Sequence, residues 1–295
     1  MSIFTITIMS RIVYVNGNYV PENEATVSVF DRGFVMADAI YEVTAVMDGK
    51  MIEFDGHMAR MQRSLDELDI AYKVNYDDML AIHREMITRN NLVSGGIYIQ
   101  ITRGNPGDRD FLFEDGDAIT PTIVLFTQEK PDPRNNTNME SGWHVMTMDD
   151  LRWHRRDIKT VQLLWPSLAK TAAIRSGFDD TWMVENGTIT EGTSNNAYII
   201  KDGVIITRQL SHDILHGITR ASLLRYAKDR QMTIEERPFT VDEVKAADEA
   251  FVTSASTYVT PIISIDGVNI GNGAPGKHAL ELRQVYIEES LKAAI

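Results

Sequence analysis

Apolar and polar positions divide the chain into short periodic segments. Arg11-Ile12-Val13-Tyr14-Val15 followed by Asn16-Gly17-Asn18 predicts a strand ending in a hairpin turn, because Asn-Gly tolerates the positive φ of that turn. Val27-Ser28-Val29 and Asp31-Arg32-Gly33-Phe34 lead into a strand over Ala39–Val46, closed by Asp48-Gly49. From His57 to Leu68, the residues Met58, Met61, Leu65 and Leu68 recur at helical spacing. A second helix is expected over Tyr76–Arg89. Gly96–Arg103 and Pro121–Phe126 read as strands around a loop that begins Gly104-Asn105-Pro106-Gly107-Asp108 and carries Arg109-Asp110-Phe111. This first part is therefore α+β, an antiparallel sheet with two helices.

Lys130-Pro131-Asp132-Pro133-Arg134-Asn135-Asn136 has two prolines and little apolar content, the composition of a linker. The domain boundary is placed there: a small domain over 1–129, a linker over 130–137 and a larger domain over 138–295. Beyond the linker, strands are expected at Trp143–Thr147, Thr181–Val184, Asn196–Ile200, Val204–Thr207 and Ala250–Ser254. Helices are expected over Leu163–Gly177, Ile218–Arg230, Val241–Ala247 and Gly276–Ala293. The order of elements gives an α/β (α+β) fold class, without internal repeats or low-complexity segments.

Composition narrows the function. At 295 residues the chain is long enough for two ordinary domains, and 43% hydrophobic with 24% charged residues is a globular profile. A net charge of −13 disfavours a nucleic-acid partner, which needs clustered Lys and Arg, while leaving room for a few arginines to hold an anionic substrate. There are no cysteines, so disulfides and thiolate chemistry are excluded. The seven histidines form no metal-binding pattern, and no metal is expected. Met1–Ser10 is expected to be an N-terminal strand or extension rather than a signal peptide. With no run long enough to span a membrane, the expected location is the cytoplasm.

Candidate chemistry concentrates between Trp153 and Thr219. Lys159 follows Arg152, Arg155 and Arg156 and precedes an apolar stretch, a setting that suits an imine-forming lysine but equally a solvated basic strand. Glu191, 32 positions later, is either the carboxylate that keeps a pyridine nitrogen protonated or a turn residue holding Gly192–Asn195. Gly217-Ile218-Thr219 precedes a helix, where free amides make a phosphate cradle or Thr219 acts as a plain N-cap. Ser254-Ala255-Ser256 offers further amides and hydroxyls. Arg60 is a helix-surface charge or a phosphate ligand, and Arg109 a loop charge or a carboxylate clamp.

Taken together and in order, these residues resemble the fold type IV pyridoxal-phosphate transaminases, and D-amino acid transaminases most closely. The motifs are Asp31-Arg32-Gly33-Phe34, Tyr41-Glu42-Val43, Gly56-His57-Met58-Ala59-Arg60, Thr102-Arg103-Gly104, Arg156-Asp157-Ile158-Lys159-Thr160, Thr190-Glu191-Gly192, Leu215-His216-Gly217-Ile218-Thr219-Arg220 and Phe251-Val252-Thr253-Ser254. The resemblance covers nearly the whole chain, from Val13 to about Tyr286. The resemblance implies a two-domain fold whose larger domain binds pyridoxal 5'-phosphate, with Lys159 forming the imine and acting as the base. It implies Glu191 on the ring nitrogen and Leu215 against the ring. It assigns the phosphate to Arg60, Gly217, Ile218, Thr219 and the Ser254–Ser256 turn, where Ala255 stands in a place relatives commonly give to threonine. It also implies a homodimer, with Tyr41 and a loop arginine, Arg109, as the substrate carboxylate trap. The familiar Arg-x-His of that loop is here Arg109-Asp110-Phe111, and Phe111 donates no hydrogen bond. The implied reaction is a ping-pong amino transfer between D-amino acids and 2-oxo acids. An (R)-selective amine transaminase and a branched-chain L-amino acid transaminase are the enzymatic alternatives, although the branched-chain arginine is not met at Tyr98-Ile99-Gln100. A silent cofactor-binding scaffold is the non-enzymatic one.

Overall fold

The computed structural model describes residues 10–113, 119–135 and 141–295. The N-terminal strand or extension expected over Met1–Ser10 thus falls outside the described residues but for Ser10, as do positions 136 and 137 of the expected linker. Pro133–Asn135 form a 3-10 turn.

Strands β1 (Ile12–Val15), β2 (Asn18–Pro21), β3 (Ala39–Met47), β4 (Lys50–Met51), β5 (Gly95–Thr102) and β6 (Thr122–Glu129) make one antiparallel sheet in the order β2-β1-β6-β5-β3-β4. Helices α1 (Arg32–Met36), α2 (Phe54–Glu67) and α3 (Tyr76–Asn90) belong to this part of the chain. The period-2 pattern of β3 decides how the two halves of the molecule meet. Ile40 and Val46 face a core shared with Met58, Met61 and Leu65 of α2. Ala45 and Met47, one residue out of phase, enter a different core with Tyr198, Leu223, Phe251 and Tyr286.

The second sheet has nine strands: β7 (Trp143–Asp149), β8 (Asp180–Glu185), β9 (Thr188–Gly192), β10 (Asn196–Lys201), β11 (Val204–Thr207), β12 (Thr233–Glu236), β13 (Glu249–Ser254), β14 (Tyr258–Ile265) and β15 (Val268–Asn269). It is mixed, with β7 parallel to both β8 and β14. On β10, Tyr198 and Ile200 face the core reached from β3, and Ala197 and Ile199 face a third core with Trp182 and Phe239. Helices α4 (Leu164–Arg175), α5 (Ile218–Asp229), α6 (Val241–Lys245) and α7 (Lys277–Ala293) complete this part. Among the described residues, no helix is long and apolar enough to cross a membrane.

Six elements go beyond the sequence expectation: α1, β4, β9, β12, β14 and β15. Pro261 makes β14 look interrupted, since proline gives no N–H to a ladder. At Pro261 the strand pairs with Phe251 of β13 only, and pairing with β7 begins at Ile262. The missing donor therefore falls where β14 still has one partner.

Candidate active site

A cavity of about 350 Å³ opens between the two sheets and takes its walls from both. Tyr41 and Val43 reach it from β3, completing the alternation that sends Ala45 and Met47 into the core beyond. His57 and Arg60 come from α2, Lys159 from the segment after β7, Glu191 from β9, and Leu215, Gly217, Ile218 and Thr219 from the entry to α5. Ser254, Ala255 and Ser256 line it from the β13–β14 turn.

Lys159 lies in no strand. A single antiparallel bridge joins Thr160 to Ile40, flanked by Tyr41 N–H to Lys159 O (3.0 Å) and Val161 N–H to Ala39 O (3.2 Å). These bonds press the lysine segment onto the first sheet, and Lys159 Nζ stands 4.1 Å from the centre of the Tyr41 ring, a cation–π contact. Its own N–H donates to Ser64 Oγ of α2 (3.3 Å). The three neighbouring arginines are committed elsewhere: Arg152 to Asp150 and Glu191, Arg155 to Glu67 and Asp157, Arg156 to Glu185. They fasten the segment through carboxylates.

Glu191 is buried near the end of β9 and does not sit in a turn. Its Oε1 accepts from Arg152 Nη1 at 2.5 Å, and its Oε2 from Asn196 Nδ2 and Leu215 N–H, both at 3.0 Å. The strand forms because the Asn186-Gly187 turn folds β9 back on β8, and Thr190 Oγ1 donates to Asp150 at 2.6 Å on the way.

Arg60 is 8% exposed, so the surface reading is excluded. Nε and Nη2 donate to the two oxygens of Glu42, each at 2.7 Å, and Nη1 donates to His216 O at 2.9 Å. His57 Nδ1 shares Glu42 Oε2 at 2.8 Å. Burial pushes the Glu42 carboxyl up, but the Arg60 charge and hydrogen bonds outweigh it and hold the group well below the usual carboxylate range. Facing Arg60 is the start of α5. Gly217, not Thr219, is its N-cap and offers no side-chain bond, so the first amides are left open to an anion. A Cβ on Gly217 would lie 2.1 Å from Asn196 Oδ1, so the backbone approaches this closely only as glycine. At the opposite turn, Ser254 Oγ bonds Thr257 Oγ1 at 2.8 Å and accepts from Thr257 N–H at 3.1 Å. A guanidinium, a free helix N-terminus and a hydroxyl turn form an anion cradle, with a lysine and a carboxylate on the same cavity wall.

Arg109 is the exception. It lies on an exposed loop, its guanidinium 4.9 Å from the centre of the Phe111 ring, and it does not line this cavity. Phe111 itself is 74% exposed.

A family model described as amino-transferase class IV matches residues 39–265. The chain belongs to the class IV aminotransferases. This aminotransferase is similar to the D-alanine aminotransferase of Staphylococcus epidermidis, 38% identical over 274 residues, which are 93% of this chain and 96% of that protein. The D-alanine aminotransferase of Staphylococcus haemolyticus is 37% identical over 275 residues, with the same coverage. Among solved structures, a branched-chain amino acid aminotransferase from T.th., complexed with N-(5'-phosphopyridoxyl)-L-glutamate, resembles it with a TM-score of 0.87 at 25% identity, over 96% of this chain and 95% of that one.

Several residues around the aminotransferase cavity carry no signal at sequence level. Asn196 reads as the first residue of a strand, yet it donates to both Glu191 and Leu215 O. Arg152 reads as one of three basic neighbours of Lys159, yet it is the one that pairs with Glu191. Glu42 leaves a trace: a carboxylate among the alternating apolar residues of a central strand must find a buried cation.

Proposed function

We propose that this aminotransferase uses pyridoxal 5'-phosphate to move an amino group between D-amino acids, D-alanine among them, and 2-oxo acids in a ping-pong sequence. The observation that carries the reading is Lys159 and Glu191 on the wall of one cavity with Arg60 and the uncapped start of α5. When bound, the cofactor supplies an aldehyde that condenses with amines and a ring that takes up the electron pair left at the substrate α-carbon. Lys159 would hold the aldehyde carbon, then, once displaced, remove the α-proton as general base and deliver it to the cofactor carbon. Glu191 would keep a proton on the ring nitrogen, and Leu215 would support the ring. Arg60, the amides of Ile218 and Thr219 and the Ser254–Ser256 turn would hold the phosphate, with Ala255 offering an amide but no hydroxyl.

Tyr41 and Arg109 would recognise the substrate carboxylate. Because Arg109 is absent from the cavity of its own chain, the reading includes a homodimer in which the loop of one protomer reaches the cavity of the other. Residues 1–129 and 138–295 are taken as its two domains. The exposed, apolar Phe111 supports a second reading, an (R)-selective amine transaminase with a relaxed carboxylate site.

Protein supplied with the cofactor is expected to absorb visible light, to bleach with borohydride and to gain the cofactor's mass at Lys159. Lys159→Ala is expected to show no such label and to lose about 10³-fold or more in D-alanine turnover. A colourless protein with no mass gain at Lys159 overturns the reading. Initial rates on D-alanine, L-leucine and (R)-1-phenylethylamine with one keto acceptor rank the substrate classes.

A further inference from the structure

Two motifs lie outside the cavity, Asp31-Arg32-Gly33-Phe34 and Thr102-Arg103-Gly104, and the fold brings them together at the root of the loop that carries Arg109. Asp31 caps α1 through Gly33 N–H (2.8 Å) and accepts from Thr102 Oγ1 (2.9 Å), while Arg32 N–H donates to Gly104 O (2.9 Å). The approach is tight, since a Cβ on Gly33 would lie 2.4 Å from Thr102 Cγ2. It buries the Arg32 side chain, which is 3% exposed.

Arg32 Nε donates to Asp38 Oδ2 at 2.6 Å, and Arg103 Nε donates to the same oxygen at 2.7 Å, so two buried guanidiniums share one carboxylate. The Arg32 guanidinium also faces the loop. Arg32 Nη1 donates to Asp110 O at 2.6 Å and to Leu112 O at 3.4 Å, and both guanidiniums stand over the Phe113 ring, at 5.0 and 3.8 Å. The two carbonyls flank Phe111, on whose ring the Arg109 guanidinium rests. A buried charge left without acceptors is costly, so these bonds favour the docked loop over alternatives that abandon them.

We propose that Arg32 is a positioning residue for substrate recognition: through the Asp110 and Leu112 carbonyls it fixes Phe111 and thereby the direction in which Arg109 meets the substrate carboxylate. The inference rests on the reading of Arg109 as the carboxylate ligand. It gives the Asp31-Arg32-Gly33-Phe34 motif a role in specificity, although none of its residues lines the cavity.

The test is the single-turnover reaction of the cofactor-loaded protein with D-alanine, followed by the visible spectrum, for Arg32→Gln, Arg109→Ala and the double variant. Arg32→Gln leaves Asp38 its bonds from Arg103. Each single variant is expected to raise the apparent Kd for D-alanine about tenfold, as loss of a charge-assisted bond would. The limiting rate is expected to stay within about twofold, and the cofactor spectrum to be unchanged. The double variant is expected to be no worse than Arg109→Ala, because both changes remove the same contact. If Arg109→Ala weakens D-alanine binding and Arg32→Gln does not, or if the two effects add, the positioning role is overturned while the reading of Arg109 stands. If Arg109→Ala has no effect, that reading falls and takes the inference with it. Should Arg32→Gln fail to fold, the same cycle with Phe113→Leu, an exposed ring whose loss strips the platform from both guanidiniums, decides the question.

Discussion

Asn196 fills the space a side chain at position 217 would need, and that contact ties two parts of the site together. Its Nδ2 donates to Glu191 and to Leu215 O, and its Oδ1 faces the Gly217 backbone. Gly217→Ala brings a methyl group to 2.1 Å from Asn196 Oδ1, so either the amide or the start of α5 must move. Moving the amide removes a donor from Glu191, and moving the helix turns its free amides away from the anion. Either way, cofactor affinity is expected to fall, by roughly ten- to a hundredfold, with the overall fold retained. Equilibrium dialysis or spectral titration with pyridoxal 5'-phosphate measures this. Unchanged affinity would mean that the two groups do not constrain each other.

Among the elements, α2 does the most to build the site. Its apolar stripe, Met58, Met61 and Leu65, fixes the helix on the first sheet. Its other residues fasten the lysine segment: Arg63 donates to Asp157 O, Ser64 Oγ accepts from Lys159 N–H, and Glu67 pairs with Arg155. Arg60 and the Lys159 segment are thereby referred to one rigid helix. Helix α3 packs behind the same core and carries His83, fully buried, with Nδ1 donating to Met79 O at 2.7 Å and Nε2 without a partner among the described residues. Burial pushes the imidazole pKa down from 6.5 to about 4, against the opposing effect of the Met79 bond. The unfolded chain takes up this proton near pH 6.5 and the folded chain only near pH 4. The neutral ring's contribution to stability is therefore whole above pH 6.5 and is lost as pH falls through that window. Melting temperature followed across that range should decline less steeply for His83→Leu than for the parent protein. An identical slope would show that His83 does not govern this part of the acid response.

For the molecule as a whole, the decisive fact is that the cavity belongs to neither sheet alone. Tyr41, His57 and Arg60 come from one side, and Lys159, Glu191, Ile218 and Ser254 from the other. Arg109 comes from neither wall, and the proposed homodimer supplies it in trans. If so, two impaired variants should complement each other when D-alanine is held well below its Kd. A mixed dimer of Lys159→Ala and Arg109→Ala chains contains one cavity with an intact lysine facing an intact loop. After subunit exchange, an equimolar mixture should recover about a quarter of the parent D-alanine activity by the statistics of random pairing. Each variant alone should remain near its own low level. No recovery after verified exchange would place Arg109 in its own chain's reaction or outside it altogether.

Much of the fold was legible in sequence because its causes are local. Apolar spacing set α2 and α3, turn residues set the β1–β2 hairpin, and glycine and polar pairs marked the end of β3 and the loop after β5. The family resemblance of the motifs also singled out Lys159 and Glu191 as candidates, where residue type alone left each open. Where those groups stand was decided by contacts between residues far apart in the chain. Glu42 meeting Arg60, Arg152 meeting Glu191 and the Ile40–Thr160 bridge follow from how the two sheets pack. So does the difference between the two glutamates and an ordinary surface carboxylate, because burial turns a charge into a demand for a partner. The sequence determined which side chains were available and which elements would carry them. Only the tertiary structure decided which came to share a cavity, because local preferences fix the backbone over a few residues while packing fixes distances across the whole molecule.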